Sequence, residues 1–135
     1  MVLAGYLRLV SESFVKRWEG RLINIHPSLL PSFKGLHAHE QTIAAGVKYS
    51  GCTVHFVVPE MDAGPIIAQA VVPVLADDDA HSLGQRILRQ EHQIYPQVIR
   101  WIAEDRVVVG NDGRVAVRGS QSPDFAQINP VNPQG

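Results

Sequence analysis

The stretch NIHPSLLPSFKG, residues 24–35, ends an apolar run on an amide and an imidazole set two residues apart. Side chains at i and i+2 of a strand project to the same face, so Asn24 and His26 form a pair. Pro27 cannot continue a hydrogen-bonded ladder and turns the chain away, which leaves the pair at the mouth of a cleft. Upstream, residues 22–26 form an apolar run bounded by Arg21 and Pro27 and read as a buried strand. Downstream, residues 27–38 read as a loop rich in Pro, Ser and Gly.

Working outward, residues 2–6 read as a short buried strand. Ser11 is an N-cap for a helix carrying Phe14, Val15 and Trp18 at helical spacing, stopped by Gly20. The pattern predicts a short helix over 39–45 with Gly46 as its stop, and strands over 52–58 and 66–74 joined by PEMDAGP as a long hairpin loop. A long amphipathic helix is expected over 80–104, with Leu83, Ile87, Leu88, Ile94, Val98, Ile99 and Trp101 as its apolar positions and a kink or break at Pro96. Asn111-Asp112-Gly113 marks a hairpin. Residues 1–118 are expected to form one catalytic unit, and the polar, Pro-rich 119–135 a disordered tail. The fold class is mixed α/β: a mixed sheet with helices on its faces.

The chain has 135 residues, 45% hydrophobic and 19% charged, with a net charge of -1, which suits one buried core rather than two. That balance argues against nucleic acid or an anionic membrane as a partner. No run of about 18 apolar residues is present, so no membrane-spanning helix is expected. The N-terminal MVLAGYLRLV lacks a basic leader region and reads as a strand, not a signal peptide. The single cysteine, Cys52, excludes an internal disulfide, fits a reducing, cytoplasmic setting, and reads as a small buried hydrophobe.

Ligands of open α/β sheets bind outside the carboxyl ends of strands, where Asn24 and His26 are expected. Asp62, in the loop after residues 52–58, is the third candidate. An Asn, a His and an Asp on loops at one sheet edge suit acyl transfer. The amide donates to a carbonyl oxygen as it becomes an oxyanion, the imidazole moves a proton or stabilises charge, and the carboxylate orients it. Singly, Asn24 and Asp62 also read as ordinary turn residues. The residues alone name no substrate.

INIHPSLLPSFKGLHAHEQTIAAG, GCTVHFVVPEMDAGPIIAQAVVPV and EHQIYPQVIRW together resemble the glycinamide ribonucleotide formyltransferases of purine biosynthesis, over about residues 2–105. The resemblance implies the C-terminal half of a Rossmann-like formyltransferase fold. Its implied activity is transfer of the formyl group of 10-formyltetrahydrofolate, a cosubstrate, to the amine of glycinamide ribonucleotide. It gives Asn24, His26 and Asp62 the catalytic places, with Asp62 sustaining charge on His26 and accepting protons through an ordered water. It assigns folate binding to Leu7, Arg8, Leu9 and Val10, to Asn24, and to the loop of Val58, Pro59, Glu60, Met61 and Asp62. Pro27 and Glu91 fall on the nucleotide side, Glu91 as the carboxylate on the ribose. His55 is a core histidine by its position and a partner standing behind the site by the resemblance.

Formyltetrahydrofolate hydrolases share the trio, with water replacing the amine, and stand as the alternative. Gly35, Leu36, His37 and His39 favour the ribonucleotide enzymes. The methionyl-tRNA formyltransferases also share the pattern, but their basic loop and C-terminal domain have no counterpart here. His37 and His39 have no cysteine or carboxylate partners at ligand spacing, so no metal is expected. The family's glycine-rich phosphate loop has no match, so the N-terminal nucleotide-phosphate half is expected to be absent and activity of the chain alone impaired. The first strand would then be an open apolar edge, prone to self-association or complementation by a separate N-terminal partner.

Overall fold

The computed structural model describes residues 20–133 and the backbone of residues 2–4. The elements run β1 (Val2–Ala4), β2 (Ile23–His26), α1 (Ala38–Ala45), β3 (Tyr49–Phe56), β4 (Ile66–Pro73), α2 (Ala80–Ala103), β5 (Val107–Val109) and β6 (Val115–Val117). The helix expected from Ser11 and the segment Leu7 to Val10 lie outside the described residues.

The main sheet is four-stranded in the order β1-β2-β3-β4. β1 and β2 are parallel, whereas β2–β3 and β3–β4 are antiparallel. This is the mixed α/β sheet expected, with β1 at its edge among the described residues. The register sets Asn24 opposite His55 and His26 opposite Thr53. Alternation along the strands then sorts the side chains by face. Ile23, Ile25, Cys52, Val54 and Phe56 join the core with Leu83, Ile87, Ile94 and Val98 of α2. Asn24, His26, Thr53 and His55 point the other way, and all four are buried.

α2 starts where expected because Asp79 and Ser82 cap each other: the Ser82 N–H donates to Asp79 Oδ1 (2.8 Å) and the Asp79 N–H to Ser82 Oγ (3.1 Å). Its buried positions are Leu83, Ile87, Ile94 and Val98, whereas Leu88 and Ile99 are 38% and 39% exposed, which narrows the apolar stripe drawn from the sequence. The helix runs through Pro96 without a break; the proline is on the solvent side, and Ile94 and Val98 are held by the core on either side of it. Arg86 fastens the helix to the end of β4 by donating to Pro73 O (3.0 Å) and to both oxygens of Asp78 (2.7 and 2.9 Å). The guanidinium holds the Asp78 carboxyl well below the usual carboxylate range.

α1 ends at Gly46 with φ 72°, as read from the sequence. β3 begins at Tyr49, three residues ahead of the expected Cys52, because Tyr49, Ser50 and Gly51 find partners in Pro73, Val72 and Val71. Gly51 has no room for a side chain, since a Cβ there would lie 1.8 Å from Ala70 O. β5 and β6 form the expected hairpin, closed by the Gly110 N–H on Arg114 O (2.8 Å) with Gly113 at φ 79°. From 119 to 133 the chain has no helix or strand. Asn129 ties that tail to the sheet: its amide donates to Lys48 O (2.7 Å) and Val74 O (3.0 Å).

Candidate active site

The polar face of β2 and β3 carries the candidate site. Asn24 is 2% exposed, His26 6%, His55 1% and Asp62 5%, an unusual concentration of buried polar groups. The sequence suggested loops at one sheet edge. Because β2 and β3 are antiparallel, their carboxyl ends lie at opposite ends of the pair, and the trio is assembled differently. The loops 27–37 and 57–65 both fold back across one face of the sheet and meet over it.

Where they meet, the Gly35 N–H donates a hydrogen bond to Asp62 Oδ2 (2.8 Å). Asp62 is at φ 53°, a left-handed conformation that Asp tolerates better than most residues. It turns its carboxylate inward, while Pro59, Glu60 and Met61 around it are exposed. The ends of its loop are pinned by the Phe56 N–H on Pro65 O (2.9 Å) and the Val57 N–H on Leu22 O (2.8 Å).

Two imidazoles flank this carboxylate. His26 Nδ1 lies 3.6 Å from Asp62 Oδ2, and His55 Nε2 lies 4.0 Å from Asp62 Oδ1. The opposite nitrogen of each ring is held by a backbone carbonyl: His26 Nε2 donates to Phe33 O (2.9 Å) and His55 Nδ1 to Phe56 O (2.9 Å). His55 Nε2 is buried without a hydrogen bond. Burial is the main reason the His55 pKa falls below 6.5; the Phe56 carbonyl and Asp62 oppose the shift and His26 adds to it. A bulge in the β3–β4 pairing at Val54/His55 sits at this point, a common device for aiming a side chain.

His39 stands at the border of the site, its ring stacked on Gly84 of α2, where a Cβ would come within 3.1 Å of Cδ2. Its pKa is also lowered, first by burial and further by His26, with Glu40 opposing. His37 faces solvent beside Glu40, so the two histidines weighed for a metal diverge. Among the described residues no group of three or more His, Cys, Asp or Glu is placed to hold a metal ion. Cys52 is fully buried, and burial first, then Glu91, push its thiol up to about 12, which leaves it an inert core residue.

Glu91 lies on the sheet-facing stripe of α2 between Ile87 and Ile94, half-buried, and burial raises its pKa against a smaller opposing effect of His92. Pro27 follows His26 directly and is half-buried. Sequence reading missed three contributors: the Phe33 carbonyl, the Gly35 N–H and Thr53. Gly35, at φ 80°, carried the only signal, a glycine needed for a left-handed turn. A cavity of about 600 Å³ between the tail and the sheet, lined by Leu29, Tyr49, Gln69, Val71 and Phe125, contains none of the trio.

His55, buried, and His39, half-buried, predict a pH dependence. Each binds a proton near 6.5 when unfolded and only at lower pH when folded. Below that value the unfolded chain therefore holds more protons, and stability falls as pH falls. Glu91, raised above 4.5, acts in the opposite sense. The melting temperature should drop between roughly pH 7.5 and 5.5, and His39→Gln should flatten that slope. A slope unchanged in the variant would mean that His39 does not contribute.

The family model for formyl transferases matches residues 1–99. Phosphoribosylglycinamide formyltransferase of Escherichia coli (strain K12) is 50% identical over 107 residues, which is 79% of this chain and 50% of that protein. The trifunctional purine biosynthetic protein adenosine-3 of Bos taurus is 50% identical over 113 residues, 84% of this chain and 11% of that protein. The crystal structure of phosphoribosylglycinamide formyltransferase from Anaplasma phagocytophilum superposes with a TM-score of 0.86 at 53% identity, covering 90% of this chain and 59% of that one. This chain thus spans about half the length of its single-function relatives. With the match covering most of its residues, the chain belongs to the formyl transferase family.

Proposed function

We propose that this chain carries the chemistry that moves the formyl group of 10-formyltetrahydrofolate to the amine of glycinamide ribonucleotide. The observation that carries the reading is the meeting of Asn24, His26 and Asp62 on one buried polar face, in a chain of this family.

The steps balance without any further reactant. The acceptor amine attacks the formyl carbon, a C–N bond forms, and the carbonyl electron pair moves onto oxygen. The Asn24 amide donates to that oxyanion, where a fixed donor in a dry site has its largest effect. The one proton shed by the amine passes to the Asp62 carboxylate, which also sustains the charge on His26. The bond from the formyl carbon to the donor nitrogen then breaks, and the leaving nitrogen takes the proton. The loop Val58 to Asp62, exposed at Pro59, Glu60 and Met61, and the segment Leu7, Arg8, Leu9 and Val10 are the folate side of this proposal. Pro27 and Glu91 are the nucleotide side, and His55 supports Asp62 from behind.

Among the described residues no helix is long and apolar enough to cross a membrane, and a cytoplasmic setting is part of the proposal. β1, at the edge of the sheet among the described residues, is where pairing with a further strand or a second copy would occur.

Incubation of the chain with the formyl donor, with and without the ribonucleotide, tests the reading. Formylated acceptor should appear only when both are present. Formate released at the same rate without the acceptor would make the chain a hydrolase and overturn it.

A further inference from the structure

Thr53 stands directly opposite His26 in the β2–β3 register and is fully buried. A hydroxyl has one proton to donate and two lone pairs to accept with. Thr53 uses all three: Oγ1 donates to Ser28 O (2.7 Å) and accepts from the Leu30 N–H (3.1 Å) and from Gln69 Nε2 (3.0 Å). It is saturated, so despite its place it is neither a nucleophile nor a proton carrier.

Its bonds all go to the loop or to a residue that grips the loop. Gln69 Nε2 also donates to Leu30 O (3.1 Å), Ser28 Oγ donates to Ser32 O (2.6 Å), and the Ser32 N–H to Leu29 O (3.0 Å). Residues 28–32 are thus fastened up to Phe33. Phe33 sits at φ 55° and presents its carbonyl to His26 Nε2 at 2.9 Å. Left-handed backbone is costly for an ordinary residue, so a loosened loop would tend to relax away from it. A carbonyl oxygen only accepts, so Nε2 must carry the hydrogen, and in the neutral ring the lone pair is on Nδ1, on the Asp62 side.

We infer that Thr53 is a positioning residue for His26: its hydroxyl fixes the loop whose Phe33 carbonyl holds Nε2–H, which makes Nδ1 the nitrogen that His26 presents to the reaction. The catalytic part of this rests on the reaction proposed above. The tautomer part does not.

The test is the ¹⁵N spectrum of the His26 ring at alkaline pH, read beside turnover, in the wild-type chain, Thr53→Val and Thr53→Ser. Wild type and Thr53→Ser should show the Nε2–H tautomer. Thr53→Val should show a mixture, with turnover down about 10- to 100-fold, the scale of a misplaced reacting group, and KM for the formyl donor within about threefold, as for a group that acts mainly in the transition state. A folded Thr53→Val chain that keeps the Nε2–H tautomer, or one with mixed tautomers and wild-type turnover, overturns the inference. If Thr53→Val does not unfold cooperatively, Gln69→Leu, which removes only one bond to Thr53 and one to Leu30, is read in the same way. If even the wild-type chain transfers no formyl group, the proposed reaction fails, while the tautomers of the variants still decide the role of Thr53.

Discussion

His26→Ala should lower formyl transfer by roughly 10²–10⁴-fold, the usual worth of a positioned acid–base group, and Asn24→Ala by about 10²–10³-fold, as for one lost oxyanion donor. Both residues are buried on the polar face of the sheet, away from α2 and the apolar core. Their removal therefore leaves the packing against the helix in place. For His26 the loss should fall on kcat and kcat/KM together, as for a group that acts in the transition state; for Asn24, which is also on the folate side, KM for the formyl donor should rise as well. Initial rates, paired with cooperative unfolding curves to confirm folding, give the answer. Turnover within a few-fold of wild type in either variant would remove that residue from the mechanism.

Gly64→Ala is the substitution expected to damage the structure most. A Cβ at Gly64 would lie 1.7 Å from Phe56 O and 3.5 Å from Val57 N, and the first of these contacts cannot be relieved by a side-chain rotation. The strand end and the Asp62 loop must separate, and the carbonyl displaced is the one that holds His55 Nδ1. A loss of about 3 kcal/mol or more is expected, in the range reserved for backbone conflict and broken buried networks. Gly46→Ala is the control: its φ of 72° costs an ordinary side chain something, but nothing lies within 4 Å of the new methyl. About 1 kcal/mol should be lost there. Urea unfolding of the two variants should separate them clearly, and equal midpoints would show that the close approach at Gly64 is relieved some other way.

Much of this arrangement is legible in the sequence, for identifiable reasons. The Asn24 and His26 pair follows from the period of two in a strand. α2 is marked by the spacing of Leu83, Ile87, Ile94 and Val98, and the last hairpin by Asn111, Asp112 and Gly113. What could not be read is what depends on strand direction and on backbone groups. Nothing local announces that β2 and β3 are antiparallel, so the pattern points to a sheet edge for residues that meet over a face. The donors and acceptors that complete the site, Gly35 N–H, Phe33 O and Phe56 O, belong to the main chain, which every residue shares. Phe33 at φ 55° runs against its own preference, and only the tertiary bonds of Thr53 and Gln69 to its loop explain it. The early start of β3 at Tyr49 is likewise set by its partners on β4.

The central claim is that the loops 27–37 and 57–65, joined by Gly35 and Asp62, close one site around Asn24 and His26 that accepts the formyl donor. It is tested most directly by titrating the ¹⁵N-labelled chain with a folate analogue whose formyl group cannot be transferred, while following the Gly35 amide and the His26 ring. Saturable shifts of both signals, with one common affinity, are the result this account predicts. Binding of the analogue that leaves both signals unmoved, or no binding up to millimolar concentrations, would contradict it.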